Sequence, residues 1–408
     1  MNIIIHGLNF SPEIVGVGKY SGELARSLVE KGHHVTVVTA PPYFPQWRIQ
    51  PGYSGKKWTT VYENKIKIVR CPIWVPKKVT GIRRIIHLLT FALSSSFIII
   101  NECRSKPDFV IAVEPTLFSA PFTLLACKLN HVFSWLHIQD FEVDAAIELG
   151  IIQKIKMLSA ISKMFENWVH SHFDHFSTIS HKMTERLIAK GVPKEKVSYF
   201  PNWVDTNLIY PDEKTNQYRQ SFGFTGEDIV VLYSGSLGVK QGIEIIIEIA
   251  DLLKNNLNIK FVICGDGPDK TLLQQMAEKN PNVFFLPLQP FSELNDLLNM
   301  ADIHLLPQKY DASDLVMPSK LLGILSSGKP VVAGCISGSE LFSIVQNIGI
   351  AVKPEDSKEY AKAIEYLAVN QDQRKLFGTN GRKLAITKFS QKNIIENFIA
   401  DLIKYLSK

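Results

Sequence analysis

Runs of Val, Ile and Phe recur along the chain, and each is followed by a stretch whose apolar residues fall at helical spacing. Residues 2–7, 34–38, 66–70, 109–113, 132–137 and 175–178 read as strands, and the amphipathic segment 21–31 reads as a helix. Strands alternating with helices predict a parallel sheet with crossover helices. The pattern breaks at FPNWVDTNLIYPDEKTNQ, which is rich in Pro, Asn and Asp, lacks periodicity and reads as an interdomain linker. It then restarts, with strands expected at 229–234, 260–265, 283–286, 303–307, 331–333 and 350–352. A length of 408 residues suits two α/β domains in series better than one very large sheet. The expected fold class is therefore α/β, with two Rossmann-like doubly wound domains facing across a cleft, since ligands of such domains bind beyond the carboxyl ends of the strands.

Residues 85–100 (IIHLLTFALSSSFIII) carry no Asp, Glu, Lys or Arg and follow KKVTGIRR. The segment is shorter than the roughly 20 residues needed to span a bilayer. It reads either as a buried core helix or as a helix lying in a membrane interface. Lys77, Lys78, Arg83 and Arg84 beside it, with Trp74 nearby, favour the second reading.

Composition narrows the class. Hydrophobic residues make up 46% and charged residues 21%, which is enough apolar material for large cores. The five cysteines (Cys71, Cys103, Cys127, Cys264 and Cys335) are scattered and form no CxxC pair. They fit neither a disulfide framework nor a structural zinc site, and they suit the reducing cytosol. Met1 runs directly into NIIIHGLNF, without a basic leader or a cleavage site, so no signal peptide is expected. Residues 1–110 hold 15 Lys and Arg against 6 Asp and Glu, which implies an anionic partner: nucleic acid, a membrane surface or phosphorylated substrates.

Gly16, Gly18 and Gly22 precede or open the first helix. A dinucleotide site needs its glycine turn directly at the end of the first strand and a carboxylate at the end of the second. Here Gly16 comes nine positions after Gly7, and the second strand runs into Thr39-Ala40-Pro41-Pro42. Both tests fail. What remains is a loop running into a helix N-terminus, a setting for a phosphate or a sugar, with Lys19 adding positive charge.

Other candidates lie at strand ends. His137 and Asp140, three apart after the apolar FSWL, are expected to point into the cleft, with Glu142 nearby. His137 would donate a hydrogen bond or act as an acid/base. His170, His172 and His175 have a spacing that fits no familiar zinc pattern, so no metal site is expected. In the second half, YSGSLGVKQG places Gly235, Ser236 and Lys240 between a strand and a helix. ICGDGP places Gly265, Asp266 and Gly267 in the same way, where small residues leave room for a base and a ribose. In DASDLVMPSKLLGILSSGKPVVAG, the amides of Leu315, Val316 and Met317 are placed at a helix N-terminus, a diphosphate-type anion site, and Ser319 and Lys320 begin the helix.

These pieces, in this order, resemble the retaining nucleotide-sugar glycosyltransferases of family 4, which have the GT-B fold. The resemblance is carried by FSPEIVGVGKYSGELARSLVEKGHHVTVVT, HIQDFEVDA, STIS, PNWVD, YSGSLGVKQGIE, ICGDGP and PSKLLGILSSGKPVVAG, and it covers nearly the whole chain. APPYFPQW and LHIQD are similar to segments of the colanic-acid transferase group and of L-fucosamine (N-acetylfucosamine) transferases. The resemblance implies domains at 1–203 and 204–385, with 386–408 as a helix crossing back to the first.

It implies that Gly16 and Gly18 lie near the donor diphosphate and the acceptor, that His137 contacts the transferred sugar, and that Lys240 neutralises the leaving diphosphate. The segment after Ser313, including Asp314, would hold the phosphates and the sugar, and the GDG turn would line the base pocket. Catalysis would need neither metal nor cofactor. The implied partners are a nucleotide sugar, UDP-linked, an undecaprenyl-diphosphate-linked acceptor saccharide and an anionic membrane surface, with no nucleic acid. The implied place is cytoplasmic, peripheral to the inner face of the cell membrane.

Three positions depart from the family pattern. Its usual Arg one residue after the first glycine is Ser236. Its usual Lys directly before a glycine is Gln241, with Lys240 one step earlier. Its paired glutamates fall on Ala312 and Lys320, which leaves Asp311, Asp314 or Glu340 as substitutes. A nucleotide-sugar epimerase or hydrolase on the same fold, or a non-catalytic scaffold, stays open as an alternative.

Overall fold

The structure is a computed structural model describing residues 1–14, 16–78, 80–142, 156–212, 216–238, 242–310 and 318–406. The chain divides into two compact units, Met1–Pro201 with Asn397–Lys408, and Asn202–Glu396. The first unit runs β1 (Asn2–Gly7), α1 (Gly16–Glu30), β2 (His34–Thr39), β3 (Thr59–Glu63), β4 (Ile66–Arg70), α2 (Gly81–Cys103), β5 (Phe109–Glu114), α3 (Ala120–Asn130), β6 (Phe133–Ile138), α4 (Lys156–His170), β7 (His175–Thr178), α5 (His181–Ala189) and β8 (Val197–Tyr199). Its sheet has the order β3-β4-β2-β1-β5-β6-β7-β8.

The second unit runs α6 (Gln217–Ser221), β9 (Ile229–Ser234), α7 (Glu244–Leu252), β10 (Ile259–Cys264), α8 (Lys270–Ala277), β11 (Val283–Leu286), α9 (Leu294–Asn299), β12 (Ile303–Leu306), α10 (Ser319–Ser327), β13 (Val331–Gly334), α11 (Glu340–Ile348), β14 (Gly349–Val352), α12 (Ser357–Val369) and α13 (Gln371–Lys388). Its sheet order, β11-β10-β9-β12-β13-β14, is the doubly wound 3-2-1-4-5-6 arrangement. The helix α14 (Gln391–Leu406) begins in this unit, and its residues from Asn397 group with the first. There Phe398 stacks on Phe200 at 4.1 Å and Tyr405 packs on Trp135 and His175.

The central strands are parallel and apolar along their length. β5 is buried at every position, as expected of a strand covered on both faces by crossover helices. Strand order reverses between β1 and β5 in the first unit and between β9 and β12 in the second. Ligands of open α/β sheets bind outside the carboxyl ends at such points.

Four features differ from the sequence reading. β3 pairs antiparallel with β4 at the sheet edge. Asn64 and Lys65 both take positive φ, the geometry of a two-residue hairpin, so the sheet is mixed. All five β3 residues are exposed, which hid the strand among polar sequence. Helix α1 starts at Gly16, not residue 21, so Gly16 and Gly18 belong to its first turn. The units part at Pro201–Asn202, inside the expected interdomain linker, but the residues that follow are packed. Trp203, Val204 and Ile209 are buried, Val204 N–H bonds Phe389 O, and Arg382 donates to Thr206 O and Ile209 O. The segment lacks periodicity because its backbone is satisfied by distant partners rather than by a ladder. Finally, α2 is a core helix on one face: Leu88, Phe91, Ala92 and Ile99 are buried, and Leu88, Phe91 and Ile99 pack with Ile4, Val38 and Val110.

Candidate functional site

At the carboxyl ends of β9 and β10 two glycine turns lock together. Gly235 N–H bonds Cys264 O, and Leu237 N–H bonds Asp266 O. A Cβ on Gly265 would stand 1.8 Å from Gly235 O, and one on Gly267 would stand 2.1 Å from Leu237 O. Both glycines also have φ in the positive region. Turn-on-turn packing therefore requires glycine at both positions, a reason that the sequence reading did not give them. Asp266 is exposed and faces Lys270 at 3.7 Å.

Lys320, the second residue of α10, lies across this turn. A Cβ on Gly235 would meet its Cε at 2.3 Å and its Nζ at 2.4 Å. Its ammonium donates to Tyr233 Oη at 2.6 Å and sits 4.3 Å from the centre of that ring, while Tyr233 Oη donates to Ser236 O at 2.7 Å. Burial pushes the Lys320 ammonium down to about 8. The structure thus brings Gly235, Ser236, Gly265, Gly267 and Lys320 together. Ser319 is exposed at the start of α10, and Glu340 opens α11, whose cap is the Ser339 hydroxyl. Lys240, Asp314, Leu315, Val316 and Met317 lie outside the described residues, as do Asp311, Ala312 and Gln241.

In the first unit the loop before α1 is organised by Glu13. Its buried carboxylate accepts from the amides of Tyr43 and Phe44, each at 2.9 Å, and from Asn9 Nδ2. Burial raises its carboxyl, and the amides oppose that rise. A Cβ on Gly18 would stand 2.7 Å from Glu13 Oε2, so the Glu13 contact by itself requires glycine there. Gly16 differs: it takes φ +58° and has open space around it. Lys19 pairs with Glu23 at 4.0 Å. Arg70, also buried, donates to Ser11 O and Ala40 O and braces the same loop. Sequence reading gave Glu13 and Arg70 no role. A lone carboxylate in a glycine loop was the available signal for Glu13, whereas nothing local marked Arg70.

His137 is 3% exposed near the end of β6. Trp135 Nε1–H donates to Ser177 Oγ at 2.8 Å, which leaves the Ser177 hydroxyl proton for His137 Nδ1 at 2.9 Å. In the Nε2–H tautomer, Nδ1 takes that hydroxyl proton and the ring's own proton stays on Nε2. Burial pushes His137 down to about 3, so its imidazole is neutral near pH 7. Asp140 is exposed just beyond the strand. Beside it, Glu114 is 1% exposed and held well above the usual carboxyl range, first by burial and then by Glu142, whose amide it accepts.

Along α2, Ile82, Ile86, Leu89, Leu93 and Phe97 form one exposed stripe, with Ile82 75% and Phe97 74% exposed. Trp58 joins it, donating its indole N–H to Ser94 O. Lys77, Lys78 and Arg83 are exposed. Arg84 is half-buried, and its charge opposes the rise that burial imposes on the Glu142 carboxyl, so it is not a free anchor. The three histidines do not converge: His172 bonds Trp168 O, His175 bonds Ser198, and His170 packs on Phe176. Among the described residues no group of His, Cys, Asp and Glu could hold a metal ion.

Comparison with known proteins agrees with this layout. Residues 15–203 match the family described as "Glycosyl transferase 4-like domain", and residues 214–384 match "Glycosyl transferases group 1". A glycosyl transferase of Escherichia coli (strain K12) named for colanic acid biosynthesis, WcaI, is 38% identical, over 98% of this chain and all of that protein. Sucrose-phosphate synthase (tll1590) from Thermosynechococcus elongatus shares the fold with a TM-score of 0.77 at 16% identity, covering 99% of this chain and 98% of that one. Anabaena Alr3699/HepE, solved in complex with UDP-glucose, shares it with a TM-score of 0.70 at 16% identity, covering 100% and 99%. Two Rossmann-like sheets, both family matches in order and a relative alike along its whole length place this chain in the GT-B glycosyltransferases of the family 4 type.

Proposed function

We propose that this glycosyltransferase moves a sugar, with retention of anomeric configuration, from a UDP-linked donor to an undecaprenyl-diphosphate-linked saccharide during bacterial surface polysaccharide assembly. The observation that carries the donor half is the pair of locked glycine turns at the ends of β9 and β10, beside the point where strand order reverses, with the Lys320 ammonium laid across them. Such a site offers backbone dipoles and positive charge to a diphosphate. The relative named for colanic acid biosynthesis supports the polysaccharide reading, and the neighbour solved with UDP-glucose supports UDP as the carrier. N-acetyl-L-fucosamine, or a related deoxy-amino sugar, is the first sugar to test.

In the first unit, His137 presents a neutral Nε2–H to the transferred sugar, with Asp140 exposed beyond the strand end. The leaving diphosphate is stabilised by Lys240 and main-chain amides, including those of Leu315, Val316 and Met317, without a metal ion. The exposed α2 stripe with Lys77, Lys78 and Arg83 rests on the anionic inner face of the cell membrane. One core face and one exposed apolar face suit a helix lying in the interface better than one surrounded by lipid.

The test incubates the full chain with UDP-, GDP- and dTDP-sugars, with and without a lipid-diphosphate-linked acceptor, and follows products by mass spectrometry. A one-sugar extension of the acceptor from a UDP donor supports the reading. Conversion of the donor sugar without acceptor points instead to an epimerase or hydrolase, and donor binding without turnover points to a scaffold.

A further inference from the structure

Lys320 has a chemical problem that the fold does not solve. Its stem is pressed against Gly235 and its ammonium is largely withdrawn from water, yet among the described residues no carboxylate pairs with it. Its single hydrogen-bond partner there is Tyr233 Oη, a neutral group. A withdrawn charge without a charged partner is costly, and burial pushes this amine below the usual lysine range.

Position adds a second penalty. Lys320 stands in the first turn of α10, at the positive end of the helix dipole, and that turn has no acidic residue. A lysine is among the least favourable residues there unless something negative arrives. Tyr233 meanwhile fixes the ammonium firmly. The phenol donates to Ser236 O, accepts from Lys320 Nζ and offers its ring face as a cation–π partner. Two of the three ammonium N–H donors remain without a protein partner among the described residues.

We infer that Lys320, held by Tyr233 over the Gly235–Ser236 turn, is a binding residue for the diphosphate of the nucleotide donor and supplies the cation that Ser236 does not. The inference rests on the nucleotide-diphosphate donor proposed above and names the residue that grips it. The arriving phosphate is the missing counter-ion. It cancels the desolvation cost and the helix-dipole cost together, so an apo-state penalty becomes binding specificity for a nucleoside diphosphate over a nucleoside.

Calorimetric titration of the full chain with UDP and with uridine provides the test, applied to the native protein, Lys320→Met and Lys320→Arg. For Lys320→Met the expected result is UDP binding weaker by roughly 10- to 100-fold, the scale of one charge-assisted contact, with uridine binding unchanged. The apo protein should melt at a higher temperature, because a stranded charge has gone. Native UDP affinity should fall between pH 7 and pH 9 as the ammonium loses its proton, while Lys320→Arg keeps its affinity across that range. Equal UDP affinity for the native protein and Lys320→Met would overturn the inference. So would equal loss of UDP and uridine in both variants, which marks a merely structural lysine. If the native chain binds neither UDP, GDP nor dTDP, the donor reading itself fails, and this inference falls with it.

Discussion

Replacing Gly265 by Ala tests the locking of the two turns. The added Cβ would stand 1.8 Å from Gly235 O, well over 1 Å inside the 3.0 Å that real Cβ contacts respect, and the obstructing atom is backbone. The ends of β9 and β10 must part, or the turn must rebuild. A strained positive φ costs about 1–3 kcal/mol, and forced overpacking costs a further 1–3 kcal/mol. The expected loss is therefore about 2–6 kcal/mol, which for a domain of this size lowers the melting temperature by roughly 5–20 °C. Gly16→Ala is the matched control. Gly16 also has positive φ but nothing within 4 Å of the new Cβ, so it bears only the backbone cost of about 1–2 kcal/mol. Scanning calorimetry with and without UDP reads both variants. If Gly265→Ala melts within a degree of the native protein and binds UDP equally, the turns are not locked as described.

Four further outcomes are expected. Nitrogen-detected NMR of His137 should show an Nε2–H tautomer that stays neutral down to about pH 4, and Ser177→Ala should release that tautomer preference; titration near the ordinary value of about 6.5 would contradict the burial argument. His6, His137 and His304 are pushed by burial to about 4, 3 and 3, so below pH 6.5 the unfolded chain binds more protons than the native one and stability falls as pH falls. At pH 5.5 each should cost on the order of 1 kcal/mol, partly offset by Glu13, Glu114 and Glu142, whose raised carboxyls have the opposite sign; a flat profile from pH 7 to 5.5 would contradict this. Replacing Lys77, Lys78 and Arg83 by Ser should weaken binding to anionic vesicles at low salt by about 1 kcal/mol per residue, and undiminished sedimentation would remove the interfacial role of α2. Sugar transfer should persist in chelator, and its loss would replace the proposed lysine and amide stabilisation with a metal.

The sheets were legible because parallel strands buried on both faces are written as apolar runs. β1, β7, β9 and β11 begin and end where the pattern placed them. β3 was not legible, because an exposed edge strand carries no burial signal and its mark was the Asn64-Lys65 turn. The segment 200–217 was legible as the join between the units, which part at Pro201–Asn202, but its packing was not, because its hydrogen bonds reach residues such as Arg382 and Phe389, far away in sequence.

The same distance limits the site. YSGS and ICGDGP stood out as glycine turns, but that they pack on each other depends on contacts between residues about 30 apart. Lys320 looked like a lost carboxylate; only its hydrogen bond to Tyr233, 87 positions earlier, shows where its charge is held. His137 was found from its place at a strand end, while its protonation depends on Ser177, which belongs to the next strand.

The central claim, that the second unit seats a donor diphosphate at its strand ends, is tested most directly by amide hydrogen exchange of the full chain with and without UDP in chelator. The account predicts slowed exchange concentrated in peptides covering residues 233–238, 264–268 and 318–322. Protection confined to the strand ends of the first unit, or appearing only once a divalent cation is added, would contradict it.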